Sequence, residues 1–251
     1  MEADSELILY LFFEGETAPV LPPPYEAAEQ DGQSVCLRVC DDMAALNNEL
    51  LRAIRVLEQV SAESTVLSIY RCEKRAVAAT PAVHLSAELL RRMAARGVGL
   101  DYSLYMTSPG EPQFPDVMSF FLLTFPQGGA AEVPTEVPWL YGGEYRGQYF
   151  VLTPDMYALA EYLIDMEESG QQLPELRVDY FSAGSAVMWY LEAEAEIRAL
   201  AALGCEVELR VHHAMILPPD DPLSPLFGHL MGSSEWRSRL LQPEDEDESC
   251  Q

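Results

Sequence analysis

With 251 residues the chain has material for one large domain or two small ones, and 49% apolar against 22% charged residues is globular rather than disordered composition. Its 41 acidic and 15 basic residues leave a net charge of −26. That charge argues against direct contact with nucleic acid or an anionic membrane, since both would repel it, and leaves a solvated acidic surface, a cationic partner or mimicry of a polyanion.

The amino terminus, MEADSELILYLFF, places acids ahead of a short apolar run and offers neither the basic start nor the small-residue cleavage site of a secretory signal. No apolar stretch reaches the roughly 18 residues needed to span a bilayer. The five cysteines, Cys36, Cys40, Cys72, Cys205 and Cys250, have no framework spacing, so reduced thiols and a cytoplasmic location are expected.

In chain order, Glu6 to Phe13 (ELILYLFF) reads as a buried strand, followed by a Pro-rich acidic connection from Gly15 to Gln33. Ser34 to Val39 alternates as a strand. Asp41 and Asp42 open a helix from Met43 to Val60, with Leu46, Leu50, Leu51, Ile54 and Leu57 as its buried stripe. Thr65 to Tyr70 is the next strand. Ser86 and Glu88 start a second helix that runs to Arg96, where Gly97 serves as a left-handed cap, and Leu100 to Met106 is the closing strand.

The second half follows the same order. Val117 to Phe125 is a strand, Pro126 to Gly147 a Gly/Pro-rich connection, and Gln148 to Leu152 a strand. Pro154 and Asp155 start a helix to Glu168; Glu175 to Tyr180, Leu191 to Leu203 and Glu206 to Val211 are then strand, helix and strand. Arg91, Ala94, Ala95 and Gly97 fall on Arg198, Ala201, Ala202 and Gly204 at an offset of 107; Tyr70 falls on Tyr180 at 110, and Asp42-Met43 on Asp155-Met156 at 113. Loops absorb such three-residue indels, so the pattern reads as an internal repeat. The expected fold is α/β (α+β), with two tandem two-layer modules, each a mixed four-stranded sheet with two helices in the order β-β-α-β-α-β. The modules would span 1–106 and 117–213, with a linker at 107–116 and a Pro-rich segment with an acidic tail at 214–251.

Pro22, Pro23, Pro24 and Tyr25 match the short PPxY ligand of WW domains, where a polyproline helix and a tyrosine dock in an aromatic groove; a plain Pro-rich loop is the competing reading. Cys36 and Cys40 share a strand face but stand about 13 Å apart, too far for one metal ion. His212 and His213 are adjacent on a strand and face opposite ways, so a shared ion is not expected. Glu192, Glu194 and Glu196 fit a solvated helix start. No phosphate-binding glycine motif occurs. The connection after Phe125 holds Trp139, Tyr141, Glu144 and Tyr145, aromatic and acidic residues suited to protein binding unless they pack back on the sheet. No catalytic residue, cofactor site or metal site is assigned.

LSIYR, LSAELLRRMAARGVGLDYSLYM, LRVDYF and LEAEAEIRALAALGCEVELRV together resemble the bacterial family catalogued as domain of unknown function 4279, whose members end in a strand, a glycine-capped helix and an acidic strand. Leu85, Leu89, Leu90, Gly97, Leu100, Asp101 and Tyr105 carry the resemblance. It implies two copies of that fold and no reaction. Charge, paired modules and the lack of an assembled catalytic set point to a non-enzymatic bacterial interaction protein of the immunity type, neutralising a toxin through a basic protein surface. The alternatives are a carboxylate-based, metal-assisted hydrolase with its site between the modules, and a viral accessory protein recruiting a host partner through Pro22 to Tyr25.

Overall fold

Alternating and 3.6-residue apolar patterns divide the chain into strands and helices whose buried faces must meet. The computed structural model describes residues 5–13, 20–21, 23–30, 33–40, 43–58, 65–73, 83–106, 119–125, 140–154, 156–170, 175–182, 186–212, 217 and 219–236. The first half forms β1 (Ser5–Phe13), β2 (Glu26–Gln30), β3 (Gln33–Val39), α1 (Met43–Leu57), β4 (Thr65–Glu73), β5 (Val83–Leu85), α2 (Ala87–Arg96) and β6 (Val98–Met106). The second forms β7 (Ser119–Phe125), β8 (Tyr141–Tyr145), β9 (Gln148–Thr153), α3 (Met156–Glu168), β10 (Glu175–Ser182), β11 (Ala186–Leu191), a π-helical turn (Ala193–Ile197) leading into α4 (Arg198–Leu203), and β12 (Glu206–His212); α5 (Ser224–Gly232) follows. No helix among the described residues is long and apolar enough to cross a membrane.

The fold is mixed α/β. Its strands form two six-stranded sheets: sheet A in the order β11-β6-β4-β1-β3-β2, and sheet B in the order β5-β12-β10-β7-β9-β8. The four expected strands lie at the centre of each sheet. Two strands per sheet went unanticipated. One is a hairpin partner, β2 or β8, lying inside a stretch read as connection. Its sequence, EAAEQ or YGGEY, carries no strand signature. Gly143 is required in β8, because a Cβ there would lie 2.5 Å from the Phe150 ring of β9. The β8–β9 turn has both Arg146 and Gly147 at positive φ, 52° and 80°, the geometry that matches strand twist in a two-residue hairpin.

The other unanticipated strand is exchanged. β5 leaves the first half to pair antiparallel with β12, and β11 leaves the second half to pair antiparallel with β6. Each then returns to a helix packed with its own half. The helix expected from Leu191 therefore begins two residues later, because Leu191 is still hydrogen-bonding in sheet A.

The inner faces of both sheets and the helices between them share one core. Leu9, Leu67 and Leu100 of sheet A, Leu123, Val178 and Val207 of sheet B, and Leu50, Leu90, Leu159 and Leu200 of the helices belong to it. Trp189 on the exchanged β11 meets Phe121 of β7, ring centres 5.7 Å apart. α2 is capped by the Ser86 hydroxyl, which accepts the Leu89 N–H at 3.2 Å, and ends at Gly97 with φ 63°. α4 ends likewise at Gly204, φ 70°. Glu196 departs from the solvated reading. It is buried, and its carboxylate accepts the Glu192 N–H at 2.9 Å, satisfying a donor at the start of the helix. Burial pushes its carboxyl up, against the opposing pull of that bond.

Side-chain alternation also corrects one pairing. Tyr180 packs on the inner core, whereas Tyr70 follows the inward-facing Ile69 and points outward. A strand equivalence must preserve parity, so the offset between β4 and β10 is odd and the two tyrosines are not counterparts.

Because each half completes the other's sheet, residues 1–106 and 117–251 made as separate chains are each expected to lack a cooperative urea transition by circular dichroism and to regain one on mixing. A cooperative transition from 1–106 alone would show that the exchange is dispensable.

Candidate functional site

The two sheets differ most on the faces turned away from the shared core. On sheet B, the outward residues Phe120, Leu122, Phe150, Leu152 and Phe181 form a second core with Leu217, Leu223, Leu226, Phe227 and Leu230 of the carboxy-terminal segment. Phe181 stacks on Phe227 at 4.7 Å and on His212 at 4.5 Å.

A chain of charges is sealed at the edge of this second core. Asp179 on β10 is fully buried and accepts from Arg177 twice, Nε at 2.7 Å and Nη2 at 3.1 Å. Its Oδ1 also lies 2.6 Å from His212 Nε2 on the adjacent β12. Arg177 Nη2 and Arg210 Nη1 reach the two oxygens of Asp221 at 3.5 and 3.6 Å, and Asp221 Oδ1 accepts the Leu223 N–H at 2.9 Å. Bidentate pairing and multiple acceptance are what allow a buried carboxylate. The chain ties the carboxy-terminal segment to the sheet. His212 is 1% exposed, so its imidazole meets the Phe181 ring and Asp179, not solvent. None of Arg177, Asp179 or Asp221 was singled out from sequence. The signal was present in ELRVDYFS, where charged residues alternate with core residues and end on Phe181.

Sheet A presents a different outer face. Opposed residues in adjacent strands share a face, so Ile8, Tyr10 and Phe12 lie beside Val35, Leu37 and Val39 on one flank and beside Tyr70 and Ser68 on the other. Tyr10 stacks with Phe12 at 5.8 Å and meets Tyr70 edge-on at 6.3 Å. These side chains belong to neither core. Tyr10, Phe12, Leu37 and Tyr70 are half-buried, while Val39 and Tyr190 are 58% and 43% exposed.

Beside the aromatic row stands Asp101 of β6, half-buried and directly opposite Tyr190 of β11. Its Oδ2 accepts from the Ser68 hydroxyl at 2.8 Å, and the Ser103 hydroxyl lies 3.3 Å from Oδ1. Burial raises the Asp101 carboxyl, opposed by the two serines, and burial followed by the nearby carboxylates of Glu192, Asp101 and Glu196 raises the Tyr190 phenol. A carboxylate held by two hydroxyls, rimmed by aromatic rings and partly open to solvent, is suited to receive a cationic side chain by charge and ring-face attraction.

The residues singled out earlier lie elsewhere. Tyr25 is buried in the shared core, where burial, then the charge of Glu49, pushes its phenol up to about 12. It therefore does not present the PPxY motif to a groove; Pro23 and Pro24 are exposed and Pro22 lies outside the described residues. Tyr141 and Tyr145 pack back against the second core, and Tyr145 stacks on His229 of α5 at 4.5 Å. Glu144 is exposed, and Trp139 lies outside the described residues. Cys36, Cys40 and Cys205 are buried and in no disulfide, and among the described residues no group of three or more His, Cys, Asp or Glu could hold a metal ion. Comparison with protein-family models, curated proteins and solved structures gave no match.

Two measurements probe this geometry. Asp179→Ala leaves Arg177 buried with only Asp221, and is expected to cost about 3 kcal/mol in urea denaturation. For Asp101, the native state holds its proton to higher pH than the unfolded chain, so its contribution is complete below the ordinary value of 3.8 and is lost as pH rises through the native value. Asp101→Asn should therefore gain on the wild type as pH climbs from 4 towards neutrality, with no difference at lower pH; a gap independent of pH would count against the burial effect.

Proposed function

We propose that this is a non-enzymatic acidic interaction protein of the immunity type, and that the outer face of sheet A is where it holds a basic protein such as a toxin. One observation carries the reading: the half-exposed row of Tyr10, Phe12 and Tyr70 beside Asp101, on a sheet face whose counterpart in sheet B is filled by the chain's own carboxy-terminal segment. Aromatic rings around a partly desolvated charge are the composition of binding hot spots. The net charge of −26 adds long-range attraction for a basic partner and speeds its capture. Such a protein needs no catalytic constellation of its own; it acts by covering the partner's basic site. The resemblance to domain of unknown function 4279 fits a scaffold of this kind and supplies no reaction.

Capture assays with the products of neighbouring genes test the reading. A partner retained at low salt should be lost at high salt and weakened at least tenfold by Asp101→Arg or Val39→Arg on this face. Retention unchanged by salt and by both variants would falsify it.

A further inference from the structure

The two sheets share one strand order, so each outward position on sheet A has a counterpart on sheet B. Setting Gly97 on Gly204 puts Asp101 on Glu208 and Ser103 on Arg210. The parallel pairings Ser68↔Asp101 and Arg177↔Glu208 then put Ser68 on Arg177 and Tyr70 on Asp179. The antiparallel pairings Tyr10↔Ser68 and Arg177↔Thr124 put Tyr10 on Thr124, and Ile8 on Leu122. The pairings Leu122↔Leu152 and Thr124↔Phe150 on sheet B match Ile8↔Val39 and Tyr10↔Leu37 on sheet A, so Leu122, Phe150 and Leu152, which the carboxy-terminal segment covers, correspond to Ile8, Leu37 and Val39 beside the aromatic row.

The segment on sheet B shows how such a face is filled. Leu223, Leu226, Phe227 and Leu230 recur at i, i+3, i+4 and i+7 and lie on the outward apolar residues, as an amphipathic helix lies in a groove. Its polar anchor is Asp221, placed between Arg177 and Arg210.

At the corresponding places sheet A has no arginine. Ser68 and Ser103 stand where the two arginines stand, and both hydroxyls are turned to Asp101. The charge offered at the anchor point is reversed: sheet B offers two cations to an incoming carboxylate, whereas sheet A offers a carboxylate.

Building on the proposed docking of a basic protein, we propose that sheet A receives a helix of that partner, seated as α5 is on sheet B, with an apolar i, i+3, i+4, i+7 stripe over Ile8, Leu37 and Val39, the counterparts of Leu122, Phe150 and Leu152, and an arginine or lysine at the place of Asp221, directed at Asp101. The protein's own carboxy-terminal segment is the apolar template for this ligand, and its acidic anchor keeps it off sheet A.

The probes are two synthetic peptides of residues 217–236, one of native sequence and one with Asp221→Arg, titrated into the full-length protein and mapped by backbone amide shifts. The Asp221→Arg peptide is expected to perturb β1, β4 and β6 and to bind at least tenfold more tightly than the native peptide. Val39→Arg, at an exposed position on that face, and Asp101→Asn should each weaken it about tenfold while leaving the urea transition cooperative. Equal affinity of the two peptides, shifts confined to sheet B, or no binding overturns the helix assignment. That failure is distinct from failure of the docking reading: if Asp101→Arg and Val39→Arg still release the captured partner, sheet A is the docking face for a surface of another shape.

Discussion

The pairing of β11 with β6 and of β5 with β12 is the constraint on which the rest depends. Each central sheet would otherwise end in an unpaired edge next to its parallel β4–β6 or β10–β12 pair, an arrangement open to unwanted association. The exchanged strand covers the edge of β6 or β12, becoming the outermost strand itself, and carries apolar anchors across the divide. Trp189 and Leu191 enter the core beside Tyr102 and Leu100, and Val83 and Leu85 enter it beside Leu209 and Val207. Full burial of a side chain such as Leu contributes about 1.5–3 kcal/mol, so the exchange ties the halves by packing as well as by ladder hydrogen bonds. It also fixes where α2 and the π-turn begin, since each helix starts within two residues of its exchanged strand.

With the inner faces committed to one core, the outer faces become the variable surfaces. Sheet B resolves its outer face internally. A stacked series from Phe120 through Phe181 to Phe227 and the charge chain from His212 to Arg210 make the carboxy-terminal segment an integral layer. Sheet A keeps Tyr10, Phe12, Leu37 and Tyr70 half-buried and Val39 and Tyr190 exposed on its outer face, with fewer charges than sheet B. This difference between otherwise matched sheets is the observation on which the proposed docking face rests. A buried network such as Asp179 with Arg177 and His212 is dear to disrupt, whereas Asp101 is half-buried and held by the Ser68 and Ser103 hydroxyls.

What was legible in the residues follows from periodicity. Helical spacing of Leu46, Leu50, Ile54 and Leu57 placed α1, and all four are buried. Apolar runs placed β1 and β7, and the glycines ended α2 and α4. The α/β class follows from these elements alone. The candidate site was less legible, for identifiable reasons. Asp101 reads as one acid among 41, and only the register that sets it opposite Tyr190 and beside Ser68 gives it meaning. Tyr25 resembled a ligand residue because its burial depends on β2, a strand with no apolar alternation. Tyr141 and Tyr145 looked available because α5, which covers them, is distant in sequence.

Local sequence therefore determined the central strands of each sheet, the helices packed between them, their order, the Ser86 and glycine caps and the acidity of the chain, because each depends on residues within a few positions of one another. Tertiary structure alone decided the exchange of β5 and β11, the covering of one sheet face and not the other, and the environment of Asp101. Those outcomes depend on which strand finds which edge. A three-residue strand such as VHL has no local signal strong enough to choose its partner; the long-range hydrogen bonds and shared core make that choice.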